Sequence, residues 1–139
     1  MRVLALDLGD RRIGVAISDT LGMLARPLET FKRGSRVGDF AHIRALIDEH
    51  HVQKVVAGLP LNMDGTEGKQ ATWVRDYTTE LAEAISLPVV LWDERLSSTD
   101  ARSILGIRGR PTDRGKIDAV AAAVILRSYL DAQEGTPSV

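Results

Sequence analysis

The chain has no cysteine, which excludes disulfides and thiolate metal sites and accords with a reducing cytoplasm. Aromatic residues are scarce, at 4%, too few for the stacking platforms of single-strand binders. No segment approaches the roughly 18 consecutive apolar residues of a membrane span. The N-terminal apolar run is short and broken by Asp7, so no secretory leader is expected either. Neither charge sign dominates: the net charge is −1, and the molecule as a whole is no polycation. What remains, 139 residues with 44% hydrophobic and 27% charged content, is the composition of one globular domain. The expected domain covers residues 1–131, followed by a polar tail over 132–139, and a cytoplasmic location is expected.

The order of elements narrows the architecture. Val3 to Leu8 and Ile13 to Ser18 predict an antiparallel hairpin. One face of its second strand carries only Gly14, Ala16 and Ser18, small enough for a helix or a ligand backbone to come close. A third strand is expected over Ala25 to Phe31, with Pro27 marking a sheet edge because it has no N–H to donate. Gly34 and Gly38 flank the turn expected after it. A helix follows from about Val37 to His50, with Phe40, Ile43 and Ile47 in phase. Lys54 to Gly58 reads as a buried strand. The loop from Leu59 to Gly68 leads to a helix with Val74, Tyr77, Leu81 and Ile85 on one stripe. Pro88 to Trp92 reads as the last strand. A short helix from about Ser98 to Leu105 and a terminal helix from about Gly115 to Leu130 complete the series. Three meandering strands followed by alternating helix and strand imply a mixed five-stranded sheet, antiparallel and then parallel, with helices on both faces. That is the α/β arrangement of the ribonuclease-H-like fold.

Asp7 interrupts a strand that is otherwise apolar on both faces. A carboxylate buried there without a partner costs several kcal/mol, so it calls for a cation, a hydrogen-bond cage or a metal. Two further acidic positions fall at element ends that the sheet can bring together: Asp93-Glu94 after the last strand, and Asp118 in the first turn expected of the terminal helix. Clustered carboxylates repel one another, and Mg²⁺ or Mn²⁺ is the usual remedy. One or two such ions, about 4 Å apart when paired, suit phosphodiester hydrolysis. Each residue also has an ordinary explanation. Asp7 can be a hydrogen-bonded structural carboxylate, Asp118 can favour a helix dipole, and Glu94 can pair with Arg95. Strand alternation sets Asp93 and Glu94 on opposite faces, so one of them joins Asp7. The alanines at 119 and 121–123 let the last helix approach the sheet. His42, His50 and His51 fall on or just after the first helix and read as surface residues.

Positive charge is concentrated in two places. Arg108, Arg110, Arg114 and Lys116 outnumber Asp113 between Ile107 and Ile117, and Lys32, Arg33 and Arg36 follow the third strand. Either cluster can grip phosphate. Candidate substrate-binding residues are Arg11, Arg12, Asn62, Arg95, Ser98, Arg108, Arg110, Arg114 and Lys116, holding phosphates without reading sequence. Ser98 or Thr99 can equally cap the short helix, and the loop glycines can simply make turns.

Residues 7–19, Asp-Leu-Gly-Asp-Arg-Arg-Ile-Gly-Val-Ala-Ile-Ser-Asp, resemble the N-terminal signature of the bacterial YqgF family, also called RuvX. The similarity continues through Val55 to Pro60, Met63 to Gly65, Asp93 to Ser98 and Lys116 to Ala122, in family order over nearly the whole chain. Ala57 departs from the valine or isoleucine often found before Gly-Leu-Pro. The resemblance implies a ribonuclease-H-like nuclease with a divalent-metal site at Asp7, Glu94 and Asp118. It also implies structured nucleic acid as partner: precursor 16S ribosomal RNA or a four-way DNA junction, cut by a monomer or a homodimer. Residues 7–19 also resemble the first phosphate hairpin of actin-type and sugar kinases, but those enzymes close two domains around a nucleotide. A non-catalytic nucleic-acid-binding module is the third reading.

Overall fold

The computed structural model describes residues 1–97 and 114–134. Strands β1 (Val3–Leu8), β2 (Arg12–Ser18) and β3 (Ala25–Lys32) precede α1 (Arg36–His50), β4 (Lys54–Leu59), α2 (Lys69–Ile85), β5 (Val89–Asp93), a 3-10 turn (Glu94–Leu96) and α3 (Arg114–Glu134). The sheet has five strands in the order β3-β2-β1-β4-β5. The hairpin pairs are antiparallel, and β4 joins β1 and β5 in parallel. This is the ribonuclease-H-like arrangement expected from the element order.

Both faces of β1 are covered, which explains its continuous apolar run. Leu4, Leu6 and Leu8 enter a core with Ile43, Ile47, Val74, Tyr77 and Leu81 from α1 and α2. Val3 and Ala5 face the opposite way, into a core with Ala122, Ala123, Ile125, Leu126 and Tyr129 of α3. Of the expected α2 stripe, Val74, Tyr77 and Leu81 are buried while Ile85 is only partly so. Pro27 lies on the edge strand, opposite Ala16, beside a register shift between Val15 and Ala16.

Three details depart from expectation. The first helix starts at Arg36, one residue before the expected Val37, and the Gly38 N–H donates to the Oγ of the N-cap Ser35 at 3.1 Å. Ser35 is a standard N-cap residue, and it starts the helix earlier than the apolar spacing alone suggests. The terminal helix runs from Arg114 to Glu134, so Asp118 lies beyond its first turn, which holds no acidic residue. Asp39 is 3% exposed; its carboxylate accepts from the Tyr77 hydroxyl at 3.0 Å and from the Gly34 N–H at 2.9 Å. Burial, and then the Asp39 charge, push the Tyr77 hydroxyl well above the ordinary tyrosine range. The expected helix from Ser98 to Leu105 and the basic loop lie outside the described residues. No helix among the described residues is long and apolar enough to cross a membrane.

Candidate nucleic-acid-processing site

The site is assembled around Asp7 by two glycines. In the β1–β2 register Asp7 pairs with Gly14; in the β1–β4 register Leu6 pairs with Ala57, which brings Gly58 next to Asp7 on the other side. Neighbours in register share a face, so all three positions point toward α3. Neither glycine has room for a side chain. A β-carbon at Gly14 would lie 2.0 Å from the backbone oxygen of Asp118, and one at Gly58 would lie 2.7 Å from both Glu94 Oε1 and Ile125 Cδ1. The backbone of Asp118 thus occupies the space over Gly14, and the Glu94 side chain occupies the space over Gly58. The small face of β2 does what its composition suggested: it admits a helix backbone.

Asp93 and Glu94 separate as strand alternation predicts. Asp93 caps the 3-10 turn, accepting from the Arg95 N–H at 2.9 Å. Its carboxylate also takes the Arg95 guanidinium at 2.8 Å, and that cation holds it below the ordinary carboxylate range. Glu94 is therefore the member of the pair on the Asp7 side. Asp7 is only partly buried, which lowers the desolvation cost read from the sequence, and both Asp7 and Glu94 make interactions with neighbouring groups. Asp118 lines an open cleft of about 390 Å³ with Gly9, Asp10, Arg11 and Arg12. The three acidic segments converge, yet among the described residues no three acidic or histidine side chains are grouped as a ready metal cage.

The turn that carries Arg11 and Arg12 is tightly held. Gly9 N–H donates to the Arg12 carbonyl at 3.0 Å, and a β-carbon on Gly9 would sit 2.8 Å from that oxygen. Arg33 donates to the Gly9 carbonyl at 3.0 Å and Gln70 to the Leu8 carbonyl at 3.2 Å. Gln70 belongs to no motif in the sequence, and an isolated amide carries no pattern that spacing could reveal.

Other predicted residues do structural work. The Asn62 side chain donates to Thr66 Oγ1 at 3.0 Å inside the β4–α2 loop. There, a Leu61–Glu67 bridge and a turn with Gly65 at φ +87° define the shape. Gly65 makes the turn, and Gly68 is the N-cap of α2. Thr66 also donates to Asp64 through its hydroxyl and its N–H, which holds Asp64 below its ordinary range. Arg95 ties this loop to β5 by reaching the Met63 carbonyl at 3.4 Å. Arg36, from the second basic cluster, is neutralised by Asp76 and Glu80 at 2.7 Å each. His42 contacts Glu29 at 2.8 Å and packs on Phe31, away from the site. Ser98, Arg108 and Arg110 lie outside the described residues, as do the side chains of Arg114 and Lys116.

A ribonuclease-H-like sheet whose first strand carries a carboxylate, with acidic segments from β5 and the last helix seated beside it, defines a class of nucleic-acid-processing domains. The comparisons agree. Residues 1–132 match the family described as RuvX: Holliday junction resolvase, and the chain belongs to that family. It is 45% identical over 138 residues to a Thermoanaerobacter pseudethanolicus protein named "Putative pre-16S rRNA nuclease", covering 96% of this chain and 99% of the relative. A protein of the same name from Anaeromyxobacter is 48% identical over 133 residues, covering 94% of this chain and 97% of the relative. The fold is shared with Thermus thermophilus RuvC at a TM-score of 0.61, covering 98% of each chain at 20% identity. A RuvC complex with Holliday junction substrate superposes at 0.60, covering 98% of this chain and 97% of that one, also at 20% identity.

Proposed function

We propose that this chain is a metal-dependent endonuclease that hydrolyses phosphodiester bonds in structured nucleic acid, with 5′-end processing of precursor 16S ribosomal RNA as its task. The observation that carries the reading is the Gly14–Asp7–Gly58 row, with Asp118 and Glu94 seated over its two glycines. A row of glycines around a carboxylate weakens a sheet; it makes sense where other acidic groups must come close. The donor set fits a hard divalent cation, because all three side chains offer carboxylate oxygen and none offers sulfur or imidazole. Asp7, Glu94 and Asp118 would hold Mg²⁺ or Mn²⁺. When bound, the ion supplies Lewis acidity to the scissile phosphate.

The remaining work falls to the chain itself. Arg11 and Arg12, on the fixed turn beside Asp118, hold non-bridging phosphate oxygens and orient the bond to be cut. The tie from Arg33 to Gly9 keeps that turn in place when substrate pulls on it. Such contacts set register and carry no sequence information, so substrate choice rests on shape.

A four-way DNA junction is the second substrate, supported by the family description and the shared fold. The test is cleavage by the purified protein, with Mn²⁺ or Mg²⁺, of precursor ribosomal RNA and of a synthetic four-way junction. Product from the RNA alone supports the first reading, and product from the junction alone the second. Binding without metal-dependent cleavage of either would leave a non-catalytic module of RNA maturation or transcription. Titration of the protein with Mn²⁺, followed by paramagnetic resonance, checks the ion independently: Asp7→Asn is expected to weaken its binding.

A further inference from the structure

We infer that a second cleft, between the β1–β2 turn and the β3–α1 connection, is a phosphate track that continues the substrate path beyond the Asp118 cleft. The inference rests on the reading that this chain acts on nucleic acid. The second cleft has a volume of about 700 Å³ and is lined by Asp10, Arg11, Arg12, Lys32, Arg33 and Gly34. It shares Asp10, Arg11 and Arg12 with the smaller cleft that Asp118 lines. Both clefts therefore border the same β1–β2 turn, and a strand of nucleic acid passing over that turn meets both.

Charge placement supports the assignment. Arg12 and Lys32 are directly opposed in the β2–β3 register, and like charges opposed across strands are destabilising. Asp10 is the one carboxylate lining the cleft, against the four cations Arg11, Arg12, Lys32 and Arg33. Among the described residues, Arg11, Arg12, Lys32 and Arg33 form no ion pair, whereas Arg36, Arg75, Arg95 and Arg127 each have a carboxylate. Arg26 and Arg44 are also without an ion pair among the described residues, so what marks this group is that four cations line one cleft, where an external anion can meet them together.

Arg33 is set in advance for that role. Its guanidinium donates to the Gly9 carbonyl and lies over the Trp73 ring, 4.2 Å from the centroid. Its own N–H donates to the Arg11 carbonyl at 2.8 Å. The next residue, Gly34, is anchored by Asp39, which Tyr77 holds from α2. This chain of contacts runs from the buried core to the cleft wall, so little side-chain entropy remains to be lost on binding. Arg33 covers a face of Trp73, so that ring is not laid open as a base-stacking platform. The ligand recognised is the sugar–phosphate backbone, RNA or DNA, without sequence preference.

The test uses fluorescence anisotropy in EDTA, so that no cleavage is needed. The probes are a labelled RNA hairpin with a single-stranded 5′ extension and a labelled four-way DNA junction. Lys32→Gln/Arg33→Gln is expected to weaken binding about tenfold and to reduce the salt slope of log Kd by about 0.7 per lost single-strand contact. Lys32 makes no side-chain contact that the fold relies on, so Lys32→Gln alone should give part of that change with unaltered melting. Arg44→Gln, on the exposed side of α1, controls for loss of charge in general. A loss beyond this control on the RNA, the junction or both supports the track and shows which backbone it takes. Variants no worse than Arg44→Gln on both probes overturn it. Metal-dependent cleavage by the wild type separates the two readings: binding loss without any cleavage sinks the nuclease and keeps the track, and cleavage without binding loss does the reverse.

Discussion

The two faces of this sheet come from the same strands and follow different rules. Toward α1 and α2 the strands present Leu4, Leu6, Leu8, Ile13, Val15 and Ile17, and the space is filled by large aliphatic side chains and Tyr77. Toward α3 they present Val3, Ala5, Ala16 and Val56 to a smaller core with Ile125, Leu126 and Tyr129, and beside it Gly14, Asp7 and Gly58, where the space is taken by the Asp118 backbone, Ile125 and the Glu94 side chain. The first face removes apolar area from water, which is what stabilises a domain. The second buries apolar area too, and gives it up only along the Gly14–Asp7–Gly58 row, where acidic segments from distant parts of the chain come alongside β1. On the proposed assignment the chemistry belongs to that row alone, and substitutions can test the division.

The largest effect is expected from Asp7→Asn, which keeps the shape and removes the charge. Cleavage should fall by about three orders of magnitude, on the order of 4 kcal/mol of transition-state stabilisation, while the circular dichroism melt is unchanged. Retained cleavage would remove Asp7 from the chemistry. Ile43→Ala, on the opposite face, should cost about 3 kcal/mol in urea unfolding by leaving a cavity. Its cleavage rate per folded molecule should equal that of the wild type. A rate loss in that variant would mean that the two faces are coupled after all. Gly14→Ala should lose about 2 kcal/mol, because the clash is with Asp118 backbone and no side-chain rotation relieves it. Unlike Ile43→Ala, it should also lose activity in the molecules that remain folded.

The smallest effect is a pH dependence at the end of β5. Arg95 holds the Asp93 carboxyl below its ordinary value of 3.8. Its folded value is depressed, so the pair contributes stability above pH 3.8 that fades as the pH falls through the lower folded value. In urea titrations, Asp93→Asn should differ from the wild type near neutrality and converge with it in acid. A gap that widens in acid would reverse the sign and refute the assignment.

The sequence carried the strands well because their burial pattern is written in residue type. Pro27 announced an edge, and the run from Val3 to Leu8 announced a strand covered on both sides. Helix starts were less legible: Ser35 caps α1 by accepting from the Gly38 N–H, and the apolar stripe alone is silent about such a hydrogen bond. In the site, the acidic positions and the small face of β2 were visible as a pattern. The reason for Gly58 was not, because it depends on where the Glu94 side chain comes to rest after β5 ends. Asp39 and Gln70 were invisible for a related reason. Each meets a partner more than thirty residues away, Tyr77 in one case and the Leu8 carbonyl in the other, and no local spacing encodes such a meeting.

The seating of the Asp118 backbone on Gly14 has a consequence for the order of folding. The two positions are far apart along the chain, and contacts of such long range are slow to form because loop closure precedes their reward. A chain with α3 undocked would keep the cohesive core under α1 and α2 and would lack Asp118, one of the three residues proposed to hold the ion. On that assignment a nascent or partly opened chain is expected not to cut.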